Sequence, residues 1–187
     1  GPVPIARSSC MRLLNTSSQY GLVSRGLHWI IVGAIVAQWL LAEAGEDSGA
    51  NNGADFDALG LHQSIGLTVL MVALVRFAWR FFNPKPAWPA DMKSYEIRLA
   101  RAVHAGFYLL LFAIPLTGWA LSSAEPEPLR FFNGFNVPRI ASSGKETFEE
   151  AHEILFNILV ALAVLHVVGA AKHRLVNRAG RRSEAHG

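Results

Sequence analysis

The chain reads as an all-α integral membrane protein, a four-helix bundle with both termini on the cytoplasmic side. Three observations predict this class. The 187 residues are 51% hydrophobic and only 17% charged, below the usual quarter of a soluble domain, and the mean hydropathy is +0.27. The apolar residues collect into four stretches, Gly26–Ala44, Leu59–Phe82, Ala102–Ser122 and Phe148–Lys172, each near the ~20 residues a bilayer requires. The charges alternate in sign from loop to loop. Of 17 Lys and Arg, 14 lie before the first span, from Arg76 to Arg101, or from Lys172 onward, whereas 11 of 14 Asp and Glu lie in or beside the two other loops. By the positive-inside rule the termini are cytoplasmic, and membrane lipid is the partner. The net charge of +3 is thus a matter of topology, and nucleic acid is not expected as a partner. A bacterial inner membrane is the expected location.

Residues 1–19 form an N-terminal tail, whose part ahead of Met11 reads as an expression remnant or upstream start. Residues 20–175 form the membrane domain, and residues 176–187 a basic tail. Cys10 is the single cysteine, so an intrachain disulfide, C-x-x-C-H haem attachment and iron–sulfur ligation are all excluded.

The first span, GLHWIIVGAIVAQWLLAEA, is longer than the ~7–15 residues of a signal-peptide core, and its Trp29 and Trp39 suit the two membrane interfaces. The acidic, Gly/Asn-rich 45–58 segment reads as an external loop. The second span opens at His62 and closes with Arg76 and Arg80. Pro84, Pro86 and Pro89 then forbid helix continuation. Tyr95–Ala102 leads helically into the third span, which carries His104 near its start and Pro115 inside, where a kink is expected. The 123–147 loop contains LRFFNGFNVPRI, whose phenylalanines suit either a lid on the outer interface or an ordinary loop with buried anchors.

The fourth span, FEEAHEILFNILVALAVLHVVGAAKHR, carries His152, His166 and His173. His152 and His166 are fourteen residues apart, about 40° short of four full turns, so both rings leave one helix face roughly 21 Å apart along the axis. Ionisable groups within a membrane helix are costly and mark functional sites. Topology sorts the histidines into two layers. His62 and His152 lie near the outer face; His28, His104, His166 and His173 lie near the inner one. Paired imidazoles on separate helices, repeated at two depths, suit bis-histidine ligation of two haems held in apolar slots between helices. Arg76, Arg80 and Arg25 are then candidate partners for haem propionates, and Gly66 is a small neighbour for a flat ring beside His62. Zinc is a competing ligand, but it needs three or four donors at one depth.

The pieces SRGLHW around His28, LHQSIGLTVLMVALVR from Leu61, VHAGFYLLLFAIPLTG from Val103, and EEAHEILFN through HVVGAAKH to His173 resemble the bacterial cytochrome b561 family. The best-known kind of member of that family is a small di-haem membrane protein that passes superoxide electrons to ubiquinone. The resemblance covers most of residues 20–174. It implies two haem b groups, with His28 and His166 ligating the cytoplasmic one and His62 and His152 the external one. It also implies a quinone site at His173, and it gives His104 no axial role. The outer loops leave Arg130, Arg139 and Lys145 as the cations on their side. The expected function is electron transfer from an external one-electron donor, with superoxide as the candidate, through two bis-histidine haems to quinone. The alternatives are a haem-bearing anchor subunit for a dehydrogenase or hydrogenase partner and a haem-free metal-binding membrane protein.

Overall fold

The structure is a computed structural model and describes residues 13–48, 57–88 and 92–184, without the side chains of 46–48 and 173–184. Its order is α1 (Leu22–Ser48), α2 (Ala58–Phe82), α3 (Ser94–Ala124), β1 (Arg130–Phe131), β2 (Phe135–Asn136) and α4 (Lys145–Glu184). All four helices are long and apolar enough to cross a membrane.

Each helix starts where its free N–H groups find acceptors. Asn15 Oδ1 accepts from the Gly21 N–H at 2.9 Å and from Ser24 Oγ at 2.6 Å, so α1 begins ahead of its apolar run. Asp57 caps α2 by accepting from the Gly60 N–H at 2.7 Å. In α3, Glu96 Oε2 reaches back to the Lys93 N–H at 3.0 Å, one half of a capping box. That box explains why the helix starts at Ser94 and absorbs the Tyr95–Ala102 lead. Asn83, in extended conformation, ends α2 ahead of Pro84. Pro115 is buried inside a helix that continues past it to Ala124. Ser64, Thr68, Ser122 and Ser123 each donate a hydroxyl to the carbonyl four residues back, at 2.7–3.0 Å. Such hydroxyls need a partner within the helix where no water is at hand.

Packing follows chain order. α1 lies on α2, α2 on α3 and α3 on α4, but among the described residues α4 comes within 8 Å (Cα–Cα) of neither α1 nor α2. The buried cluster of Ile31, Val69, Ala73 and Leu111 belongs to α1, α2 and α3, and α4 takes no part in it. Gly106 meets Leu162 where α3 approaches α4: a Cβ there would lie 2.9 Å from Leu162 Cδ1. The bundle is therefore an open arc whose first and last helices are separated by a slot. The antiparallel alternation puts the start of α1, the end of α2, the start of α3 and the end of α4 at one end, here the terminal end. Lys172 Nζ joins Glu96 Oε1 there at 3.0 Å. At the opposite end Lys145 Nζ joins Glu125 Oε1 at 2.7 Å.

The outward faces are apolar. Trp29 and Trp39 are 66% and 53% exposed, and Leu165, Val167 and Val168 are as open. A soluble monomer rarely carries patches of that extent, and lipid is their natural solvent.

The 123–147 segment holds a feature the sequence reading lacked, a two-stranded antiparallel hairpin pairing Arg130 with Asn136 and Phe131 with Phe135. Its turn closes by Gly134 N–H to Phe131 O at 2.9 Å. Phe132 and Asn133 between them have φ of 44° and 55°, as a type I′ turn demands. The hairpin docks on α2 through Ser64, which is 1% exposed. The Ser64 hydroxyl accepts from the Phe132 N–H at 2.9 Å and lies 3.3 Å from Arg130 O. Leu129 is buried beside it while Phe132 and Phe135 face outward, 53% and 62% exposed.

Candidate functional site

Histidines from different helices meet in pairs at each end of the slot. At the hairpin end, His62 of α2 and His152 of α4 have ring centroids 6.2 Å apart and planes at 71°. At the terminal end, His28 of α1 and His166 of α4 are 6.5 Å apart with planes at 64°. These are the helices whose backbones do not approach one another. An imidazole nitrogen binds a transition metal at about 2.0–2.1 Å, so two rings on opposite sides of one metal ion have centroids roughly 6.3 Å apart. Both pairs match that separation within a few tenths of an ångström. Such ligation leaves rotation about the shared axis free, so the steep interplanar angles are compatible with it.

The hydrogen bonds on the rings decide which nitrogen is available. His62 Nδ1 lies 3.1 Å from Gln38 O of α1, and His152 Nδ1 lies 2.9 Å from Ile114 O of α3. A carbonyl only accepts, so Nδ1 carries the proton in each ring and Nε2 keeps its lone pair for a ligand. Metal-bound histidines are oriented in this way. Thr117 Oγ1 is a second neighbour of His152 Nδ1 at 3.3 Å, while also reaching the Ala113 and Ile114 carbonyls.

Small residues flank the hairpin-end pair. A Cβ on Gly118 would lie 3.0 Å from Cε1 of the His152 ring, so a side chain there would press that imidazole away from α3 by a few tenths of an ångström. Gly66, expected beside a flat ring, faces Gln38, whose Nε2 would be 2.9 Å from an added Cβ. Gln38 Oε1 is the one side-chain polar atom among the described residues that is fully buried without a partner. Leaving such an atom unpaired costs about 1–3 kcal/mol, which marks this corner of the slot as built for more than packing.

At the terminal end the grouping is larger. His104 packs edge-on against His166 at 5.4 Å, and Phe107 does so at 5.5 Å from the other helical turn. The His104–His166 gap is about 1 Å shorter than for two rings on opposite sides of one metal ion by the estimate above, and His104 Nδ1 is held by Ala100 O of its own helix at 2.6 Å. Among the described residues no three His, Cys, Asp or Glu side chains converge as a metal cluster.

Two of the three arginines predicted from sequence have structural partners. Arg76 Nη1 donates to Ser24 O at 2.9 Å, tying α2 to the first turn of α1, where Trp79 Nε1 also donates to Ser24 Oγ at 3.1 Å. The Arg80 guanidinium lies 5.5 Å from the Tyr108 ring centroid. A guanidinium has five donors, so neither contact exhausts it. Arg25 is exposed on α1. The backbone of His173 continues α4, but its side chain lies outside the described residues, as does Cys10.

Several residues of this grouping escaped sequence reasoning: the Gln38 and Ile114 carbonyls, Thr117, Gly118 and Phe107. Backbone carbonyls leave no trace in a sequence. Gln38, a lone amide within an apolar span, was the one legible signal.

Comparison with known proteins identifies the family. Residues 19–182 match the family model described as prokaryotic cytochrome b561. The chain is 34% identical over 172 residues to the protein named cytochrome b561 homolog 2 of Escherichia coli (strain K12), covering 90% of this chain and 91% of the relative. It is 22% identical over 161 residues to the probable superoxide oxidase CybB of Yersinia pestis, covering 84% and 90%. With the family model matched across nearly all of the four-helix unit, the chain belongs to the prokaryotic cytochrome b561 family of membrane haem proteins that transfer electrons.

Proposed function

We propose that the chain holds two b-type haems, one between His62 and His152 and one between His28 and His166. They carry electrons from a one-electron donor at the hairpin end to a quinone at the terminal end. The observation that carries this reading is the repeated metal-spanning separation, 6.2 Å and 6.5 Å, between histidines of helices that otherwise stay apart. Bound haem supplies one-electron chemistry at iron. The protein supplies the rest. The Gln38 and Ile114 carbonyls fix the rings with Nε2 facing the ligand, and Gly118 gives His152 room. Arg76 and Arg80 offer further N–H donors to propionates at the terminal end. The fourteen residues between His152 and His166 set the two centres about 21 Å apart along α4.

In this reading the terminal end faces the cytoplasm of a bacterial inner membrane and the hairpin end faces outward, an orientation that the charge bias of the loops supports. Of the three cations outside, Arg139 donates to the Glu125 and Pro126 carbonyls at 2.7 Å and Lys145 pairs with Glu125. Arg130 is exposed and, among the described residues, makes no ion pair. It is the cation a small external anion would meet. Superoxide is the donor this reading assigns, supported by the name of the Yersinia relative, and ubiquinone the acceptor. His173, the residue after Lys172 on the cytoplasmic side of α4, is the imidazole assigned to the quinone, where it can pass a proton to a quinone oxygen.

Stopped-flow spectroscopy of the purified protein with a superoxide source and ubiquinone tests this. Quinol should form in a superoxide-dependent manner without any partner protein. His173→Ala should retain both haems yet exchange electrons with quinol several-fold more slowly. Unchanged quinol kinetics in that variant would remove His173 from the site, and no superoxide-dependent quinol would remove the donor.

A further inference from the structure

The two ends of the slot treat their histidines differently. At the hairpin end both rings donate Nδ1–H to a carbonyl of a neighbouring helix, His62 to Gln38 O and His152 to Ile114 O. At the terminal end neither His28 nor His166 makes a hydrogen bond among the described residues; the ring bond found there is His104 to Ala100 O. Charge divides the same way. Arg76 is near enough to act electrostatically on His28 and His104, and Arg80 on His104. The carboxylate acting on His152 is Glu153.

We propose that this asymmetry orders two reduction potentials, so that the haem held by His62 and His152 is the weaker electron acceptor and the haem held by His28 and His166 the stronger. The proposal rests on the ligand pairs proposed above. Three effects push the same way. An imidazole that donates Nδ1–H to a carbonyl is a more basic ligand, and a more basic ligand favours ferric over ferrous iron. A nearby carboxylate also favours the more positive, oxidised centre. A nearby guanidinium favours the reduced one. Second-shell hydrogen bonds and local charge are recognised controls on haem potential. Gln38 and Ile114 act through the rings they hold, so they are positioning residues, and Arg76 acts through space. The consequence is a downhill step from the hairpin end to the terminal end, a direction built into the bundle whatever the external donor.

Potentiometric titration of the purified holoprotein, followed in the visible haem bands, reads this order. Two one-electron waves are expected, separated by at least a tenfold bias, about 59 mV for a one-electron couple. His152→Ala should delete the lower wave, and His62→Ala should do the same if the first variant folds poorly. Arg76→Gln keeps a donor for Ser24 O and removes the charge; it should shift the upper wave downward and leave the lower one in place. Loss of the upper wave in His152→Ala, coincident waves in the native protein, or an Arg76→Gln shift confined to the lower wave would each overturn the order while leaving the ligand pairs intact. A His152→Ala protein that keeps both waves would overturn the ligand pairs themselves, and the order with them.

Discussion

Alanine in place of His152 is expected to remove the hairpin-end haem and leave the terminal-end haem in place, halving the haem content of a folded, membrane-inserted protein. The geometry makes the effect local. His152 faces His62 at 6.2 Å, whereas the other pair lies about 21 Å along the helix axis, fourteen residues on. The buried cluster that holds α1, α2 and α3 together, Ile31, Val69, Ala73 and Leu111, does not include α4, so the fold should survive. His62→Ala should behave identically, because an iron that loses either axial imidazole loses the pair that grips it. Haem extraction and a low-spin spectrum check both variants. Two low-spin haems retained in either one would show that the pairing is wrong.

The second large effect is expected at the other end. His166→Ala or His28→Ala should remove the terminal-end haem, keep the hairpin-end one, and abolish electron delivery to quinone while an external donor still reduces what remains. His104 should not substitute. It sits 5.4 Å from His166 and its Nδ1 is tied to Ala100 O, so its ring is fixed beside His166 and not across from it. Stopped-flow reduction by external donor and by quinol, measured on the same preparation, separates the two half-reactions. Undiminished quinone reduction in His166→Ala would remove the terminal-end haem from the route.

Much of the fold was legible because bilayer thickness imposes a length on apolar runs. The four spans read from hydropathy fall within the four observed helices. The helix ends were less legible. They depend on acceptors such as Asn15 for α1 and Glu96 for α3, which lie outside the apolar runs. Hydropathy assigns depth but not neighbours. It put His28, His104 and His166 at one level, and only the packing order, with α1 and α4 apart across the slot, separates the ring facing His166 from the ring packed beside it. The hairpin was missed although Asn133-Gly134 is a turn signal, because its strands are two residues each and too short to show alternation. What fastens it, the Ser64 hydroxyl on Phe132 N–H, joins residues far apart in the chain. Gly118 was missed for a similar reason: its role is to leave room for a ring from another helix, and nothing adjacent in sequence announces that.

The buried apolar residues are unevenly shared among the helices. Apart from Leu159, the buried apolar residues lie on α1, α2, α3 and the loop ahead of the hairpin. α4 contributes chiefly histidines to the slot and apolar surface to the outside. A bundle held mainly by side-chain interdigitation would bring its facing helices to about 8–10 Å between axes along their length. Here α4 stays beyond 8 Å (Cα–Cα) of α1 and α2, a separation that the proposed haems between the paired rings would account for.

Reduced-minus-oxidised visible spectroscopy with haem quantification on the purified native chain tests this account most directly. The histidine pairs at 6.2 Å and 6.5 Å call for two low-spin b-type haems per chain. A folded preparation carrying one haem, or none, would contradict it.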